Sequence, residues 1–128
     1  MTDEIRLTLP RERPFYGIAH LVLGGLAVRL DLTFEVLEDL QLALEHLLGE
    51  THGDSELIVA ITVDGDQLRA SVGPFAEDEL PAVDGAPTTA GEGGTLGRVL
   101  DTVVDGVEVE ARDGAHWVQL TKTVRRAA

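Results

Sequence analysis

Leucines at close helical spacing dominate the middle of the chain. Leu37, Leu40, Leu44, Leu47 and Leu48 recur at steps of three, four, three and one. In a helix of 3.6 residues per turn these positions share one face. The pattern therefore predicts an amphipathic helix over Thr33 to Glu50, with Thr33 as its N-cap. Its boundary stripe, between the buried and the wet face, carries Asp39, Leu42, His46 and Glu50.

Two further helices are predicted before and after this one. The first runs from Pro14, a residue suited to a first helical turn, to about Leu30. Its expected buried face is Phe15, Ala19, Val22, Leu23, Leu26 and Leu30. The third runs from about Thr95 to Val104 and buries Leu96, Val99, Leu100, Val103 and Val104.

Alternation with a period of two predicts five strands, the first over Glu4 to Leu9. If Asp64 and Gly65 form a type I′ turn, the first hairpin pairs Ile61 with Leu68, Val59 with Ala70 and Leu57 with Val72. A second turn at Asp113 and Gly114 sets Ala111 opposite His116, Val109 opposite Val118, Val107 opposite Leu120, and Glu110 opposite Trp117 on the other face.

The predicted order is βααββαββ. It indicates an α/β (α+β) two-layer sandwich, in which three helices cover one face of a mostly antiparallel five-stranded sheet. Residues 1–128 are expected to form a single domain. The stretch from Gly73 to Gly94 is rich in glycine and proline and has no period, so we expect a lid loop there.

Charge and composition narrow the classes of partner. The formal net charge is −13, which argues against binding a nucleic-acid backbone and favours basic or neutral partners. The absence of cysteine excludes disulfides and thiolate chemistry. The acidic start of the chain does not match a signal peptide, and the longest apolar run, Ile18 to Val28, is too short to cross a bilayer. We expect a cytoplasmic protein without a membrane partner.

The element order and several local strings resemble the GHKL-type ATPase fold, and within it the anti-sigma-factor serine kinases. Their helix pattern E-D-L-x-L-A-L-x-E-L-x-x-N resembles EDLQLALEHLLGE, which runs from Glu38 to Glu50. The match implies that His46 stands at the catalytic base position and Glu50 at the magnesium position. A shift by one residue would bring Glu45 to the base position but Gly49 to the metal position, so we prefer the unshifted match.

The glycine boxes of that family are kept unequally. The first, D-x-G-x-G, resembles SVGPF at Ser71 to Phe75, where Ser71 replaces the acid that reads adenine and Gly73 is kept. The second resembles GEGGTLG at Gly91 to Gly97, where backbone amides near Gly94, Thr95 and Gly97 would receive phosphate at a helix N-terminus. A glycine-rich lid without phosphate binding is the alternative explanation of this second string. VLDTVVDGVEVE, residues 99–110, is among the most specific pieces of likeness.

The resemblance implies a regulatory module that binds a sigma factor or its anti-sigma antagonist and forms a homodimer. Changes at His46, Glu50 and Ser71 favour impaired or lost ATP binding, with ATP and magnesium kept open as cofactors. The first alternative is an active ATP- and magnesium-dependent protein serine kinase. The second is a structural oligomerisation domain. A purely structural alternative for His46 is a boundary histidine that is hydrogen-bonded to its neighbours. The corresponding alternative for Glu50 is a solvated side chain at the end of a helix.

Trp117 is the only tryptophan of the chain, and the predicted register places it on the face of the sheet without helices. Tryptophan is favoured as an anchor of protein interfaces. We therefore assign Trp117 a partner-binding role, with simple packing as the alternative.

Overall fold

A computed structural model describes residues 3–51, 55–79 and 94–124. The strands are β1 (Asp3–Leu9), β2 (Leu57–Asp64), β3 (Gln67–Phe75), β4 (Gly106–Arg112) and β5 (Ala115–Thr123). The helices are α1 (Arg13–Leu30), α2 (Phe34–Gly49) and α3 (Gly94–Val103), and a short 3-10 turn spans Glu77–Glu79. The predicted order βααββαββ is confirmed.

The five strands form one antiparallel sheet in the order β1-β2-β3-β5-β4. The β4–β5 hairpin has the predicted register, with Val109 opposite Val118 and Glu110 opposite Trp117. Its turn residues Asp113 and Gly114 both have positive φ, as a type I′ turn requires.

The predicted register of the first hairpin is wrong by two residues. Asp64 pairs with Gln67, so Gly65 and Asp66 form the turn and Ile61 faces Ala70. Of these two turn residues only Gly65 has positive φ, which is typical of a type II′ turn, where glycine takes the first central position without steric cost. A shift of two residues leaves every side chain on its predicted face, since side chains alternate with a period of two.

The helix α2 begins as its sequence predicts. The hydroxyl oxygen of Thr33 accepts a hydrogen bond from the N–H of Val36 at 3.3 Å. The buried residues of α2 are Val36, Leu40, Ala43, Leu44, Leu47 and Leu48. In α1 the buried set is narrower than predicted: Phe15 lies in the first turn, before the first buried residue Ala19, and remains 38% exposed.

The core lies between the helices and one face of the sheet. The sheet contributes Leu57, Val59, Ile61, Val63, Leu68, Ala70, Val72, Phe75, Val118 and Leu120, all on that face or at its end. The other face carries Ile58, Ala60, Arg69, Ser71 and Trp117. The predicted start of the lid at Gly73 is wrong, because β3 continues past a bulge to Phe75, which is fully buried opposite His116. Residues 80–93 of that lid lie outside the described residues.

Candidate functional site

The exposed side of α2 carries the two residues expected to hold a base and a metal. His46 lies in the last turn and Glu50 forms the C-cap, and both are exposed. Residues four apart share a helix face, so the two side chains are neighbours on the surface. Within residues 3–51, 55–79 and 94–124, no group of three or more His, Cys, Asp or Glu is placed to hold a metal ion.

Ser71 and Gly73 lie on the opposite side of the sheet from α2. Ala70 and Val72 point into the core, so the alternation of β3 turns Ser71 to the other face. There Ser71 stands between Ala60 and Gln119 of the neighbouring strands and is only 8% exposed. The structure therefore separates Ser71 from His46 by the thickness of the sheet.

Trp117 covers Gly73 on this second face. A β-carbon added at Gly73 would lie 2.6 Å from Cδ2 of the indole, so the ring packs directly against the glycine backbone. The guanidinium of Arg112 lies 5.1 Å from the centre of the Trp117 ring, within the range of a cation–π interaction. Trp117 is thus partly packed within its own sheet, and its partner-binding role stays a prediction.

The carboxylate of Glu110 holds Arg112 in this position. An Nη2–H of Arg112 donates to Oε2 of Glu110 at 3.1 Å. This hydrogen bond lowers the pKa of Glu110 below its ordinary value and raises the pKa of Arg112. Both groups are well exposed to solvent, so the interaction orients the guanidinium over the ring more than it stabilises the fold.

The glycine-rich string reaches the described residues only at its end. Gly94 and Thr95 begin α3, and Gly97 is buried one turn into the helix. Residues 91–93 lie outside the described residues. The predicted phosphate site at this N-terminus stays a prediction.

The resemblance implies binding of ATP and magnesium. The described candidate residues for these ligands do not lie together in one site. His46 and Glu50 lie on the solvent side of the helix layer, and Ser71 and Gly73 lie on the far face of the sheet. A serine hydroxyl also lacks the negative charge that a carboxylate would offer an adenine amino group. We therefore derive no catalytic step through these residues.

Arg11 forms a buried cluster that sequence reasoning missed. Its side chain is 1% exposed, and it donates to the carbonyl oxygens of Ser55, at 2.6 Å, and of Pro74. Its guanidinium lies 5.2 Å from the Phe75 ring centre and 3.7 Å from a carboxylate oxygen of Glu79. The cluster joins the ends of β1 and β3 to the loop before β2 and to the 3-10 turn. Arg11 stands among charged residues in the sequence, which gives no signal of burial.

A groove runs between α1 and α2 on the solvent side of the helix layer. One depression of about 340 Å³ is lined by Arg13, Tyr16, Gly17, His20, Glu45 and Gly49. A second, of about 420 Å³, is lined by His20, Glu38, Asp39, Gln41, Leu42 and Glu45. His20 and Glu45 line both depressions, so the two adjoin each other. Gln41, predicted on the wet side of α2, reaches across and donates to the backbone oxygen of His20 at 3.2 Å.

The molecule has three helices over one face of an antiparallel five-stranded sheet, in the order βααββαββ. This architecture is that of the GHKL-type ATPase fold. A solved structure of the RsbU and RsbW domains of a Mycobacterium tuberculosis protein superposes with a TM-score of 0.67 at 16% identity. The alignment covers 98% of this chain and 34% of that longer one. None of the helices among the described residues is long and apolar enough to span a membrane.

Sequence comparison identifies the family within this class. The chain is 30% identical to the serine-protein kinase RsbW of Bacillus pumilus, over 97% of its own length and 88% of that protein. The RsbW kinase of Bacillus velezensis is 29% identical over 94% and 85% of the two chains. A scan against protein-family models finds no match. The chain belongs to the RsbW family of serine-protein kinases, which confirms its resemblance to the anti-sigma-factor serine kinases.

Proposed function

We propose that the protein is a regulatory module that binds a sigma factor or its anti-sigma antagonist, as a homodimer whose binding of ATP is impaired or lost. Membership of the RsbW family supports the regulatory role. The acidic surface of a chain with a net charge of −13 supports a protein partner with basic segments over a nucleic acid.

The observation that supports impaired or lost nucleotide binding is the residue type at position 71, where a serine replaces the acid. Ser71 is buried at 8% exposure on the sheet face that lies away from α2. The lack of a carboxylate at this position supports a chain that acts by binding.

Direct binding to candidate partners tests the regulatory role. Each sigma factor and each small antagonist protein of the source organism is purified and titrated against the full chain by surface plasmon resonance. We expect one of them to bind with a Kd in the micromolar range or tighter, without added nucleotide. Absence of binding to every sigma factor and antagonist, with and without ATP and magnesium, would contradict the proposal.

A second candidate function is an active protein serine kinase. It is favoured by the shared exposed face of His46 and Glu50, on which His46 would take the proton of a substrate hydroxyl and Glu50 would hold magnesium. Transfer of labelled γ-phosphate to an antagonist protein, lost in His46→Ala and kept in Glu108→Ala, a change at an exposed carboxylate on β4, would establish this function in place of the first. We expect no transfer of phosphate by the wild-type chain or by either variant.

A further inference from the structure

Large apolar side chains are exposed along the groove between α1 and α2. Leu21 is 77% exposed, and Leu42 of α2 is 38% exposed. Leu21 follows Gly17, a lining residue, by one helical turn, so it stands on the α1 rim of the groove. Leu42 lines the groove from α2. The apolar rim continues along α1 to Val28, which is 83% exposed.

Carboxylates accompany this apolar rim on the α2 side. Glu35, Glu38 and Glu45 are exposed, and within the described ranges none of the three takes part in an ion pair. Asp39 differs, because its carboxylate accepts a hydrogen bond from Nζ of Lys122 at 3.0 Å. Glu38 and Glu45 line the groove itself. Arg13 lines the same depression as Glu45. The surface therefore combines an apolar row with carboxylates that form no ion pair among the described residues.

We propose that this groove binds a basic amphipathic helix of a partner protein. An α-helix lays an apolar stripe at positions i, i+3, i+4 and i+7 into such a groove. The stripe would contact Leu21 and Leu42, and lysine or arginine side chains beside it would face Glu38 and Glu45. The inference rests on the proposed function, since it gives the partner of that function a binding surface.

Charge selects this occupant over two others. A second copy of the chain would bring its own Glu35, Glu38 and Glu45 to the interface, and like charges oppose such pairing. An anionic lipid surface would be repelled for the same reason. A basic helix gains from both the apolar row and the carboxylates.

Two synthetic peptides of 18 residues test the inference on the full chain. One carries a leucine stripe with lysines on its polar face, and the other has the same stripe with glutamates. We expect the lysine peptide to bind at least about tenfold more tightly by fluorescence anisotropy, with an affinity that falls as salt is raised. In two-dimensional NMR the lysine peptide is expected to shift the amide signals of Gly17, Leu21 and Leu42 and to leave those of the open sheet face unchanged.

Three variants separate the groove from general acidity. Leu21→Asp is expected to weaken lysine-peptide binding about tenfold or more, because it removes an apolar contact. The double variant Glu38→Lys, Glu45→Lys is expected to abolish the preference for lysine over glutamate peptides. Glu108→Lys changes an exposed carboxylate on β4 and is expected to change affinity less than about twofold. Thermal melting is recorded for each variant to exclude unfolding.

The inference is overturned if the lysine peptide fails to bind at millimolar concentration, if both peptides bind equally, or if Glu108→Lys weakens binding as much as the groove variants. It is also overturned if Leu21→Asp only dissociates a dimer of the chain, measured by sedimentation, without changing peptide affinity. Peptide binding does not involve a sigma factor. Binding of the lysine peptide in the groove, without binding of any sigma factor or antagonist, therefore supports this inference and contradicts the proposed function. Binding of a sigma factor or antagonist, without binding of the lysine peptide, supports the proposed function and contradicts this inference.

Discussion

The indole of Trp117 packs so closely on Gly73 that the two residues form a single contact across β5 and β3. A β-carbon at position 73 would meet three ring atoms, Cδ2, Cε3 and Cγ, at 2.6 to 2.9 Å. Such distances are shorter than any normal carbon–carbon contact. The glycine is thus required by its neighbour, and the position has no space for a side chain.

We predict that Gly73→Ala destabilises the protein by about 1–3 kcal/mol, because the indole or the strand has to move. Urea denaturation followed by tryptophan fluorescence measures the change. Gly25→Ala is the matched control: position 25 lies on the exposed side of α1 with no atom within 4 Å of an added β-carbon, so alanine is expected to stabilise by about 0.5–1 kcal/mol. Equal effects of the two changes would contradict the packing argument.

Arg112 is predicted to control the titration of Glu110. The pKa of Glu110 is lowered in the folded protein, first by the hydrogen bond from Arg112. Its contribution to stability is therefore present above the ordinary carboxylate pKa and is lost as the pH falls through the lowered folded value. In an NMR titration, Arg112→Gln is expected to raise the pKa of Glu110 towards its ordinary value, and Arg6→Gln on β1 is expected to leave it unchanged. The same midpoint in wild type and Arg112→Gln would refute the assignment.

The buried guanidinium of Arg11 is predicted to be the most costly charge to remove. Arg11→Ala deprives the carbonyls of Ser55 and Pro74 of their donor, for which we expect a loss of about 2–4 kcal/mol in urea denaturation. Arg11→Lys keeps the charge without the planar fork and should recover only part of the loss. The exposed neighbour Arg13→Ala is expected to change stability by less than about 0.5 kcal/mol. A loss at Arg11 no larger than at Arg13 would show that the cluster does not stabilise the fold.

Lys122 connects three elements, and its removal is predicted to matter more than that of a surface pair. Its ammonium donates to Asp39 of α2 at 3.0 Å and to the backbone oxygen of Val103 at 2.7 Å, while only 14% of its side chain is exposed. Lys122→Ala is expected to cost about 1–3 kcal/mol. Arg6→Ala breaks the exposed pair with Glu4 and is expected to cost about 0–1 kcal/mol. Chemical denaturation of both variants compares them, and a smaller loss at Lys122 would contradict the prediction.

Local patterns predicted most of the fold because local physics determines those features. The leucine spacing of α2 and the cap at Thr33 depend on helix geometry alone, and the Asp113–Gly114 turn sets its own register. The first hairpin failed by two residues because glycine suits more than one turn type, and a two-residue slip preserves every buried face. The core alone cannot distinguish the two registers.

The candidate site was predicted less completely, because it depends on contacts between distant segments. The burial of Arg11 arises from four segments that meet in space. The sequence pattern around Arg11 does not predict this burial. Trp117 was correctly assigned to the sheet face without helices, yet its contact with Gly73 requires the pairing of β3 with β5. The family resemblance was recognised from short sequence motifs that this chain keeps. The face of the sheet on which Ser71 lies is known only once the strands are assembled.

The most direct test of the account is calorimetric titration of the full chain with ATP and magnesium. The RsbW kinase of Bacillus pumilus, a relative at 30% identity, is titrated in parallel as a positive control. We predict no heat of binding for this chain at micromolar concentrations, with Kd values weaker than about 1 mM, equivalent to less than about 4 kcal/mol of binding free energy. Saturable binding with a micromolar Kd would contradict the account and would support the kinase in its place.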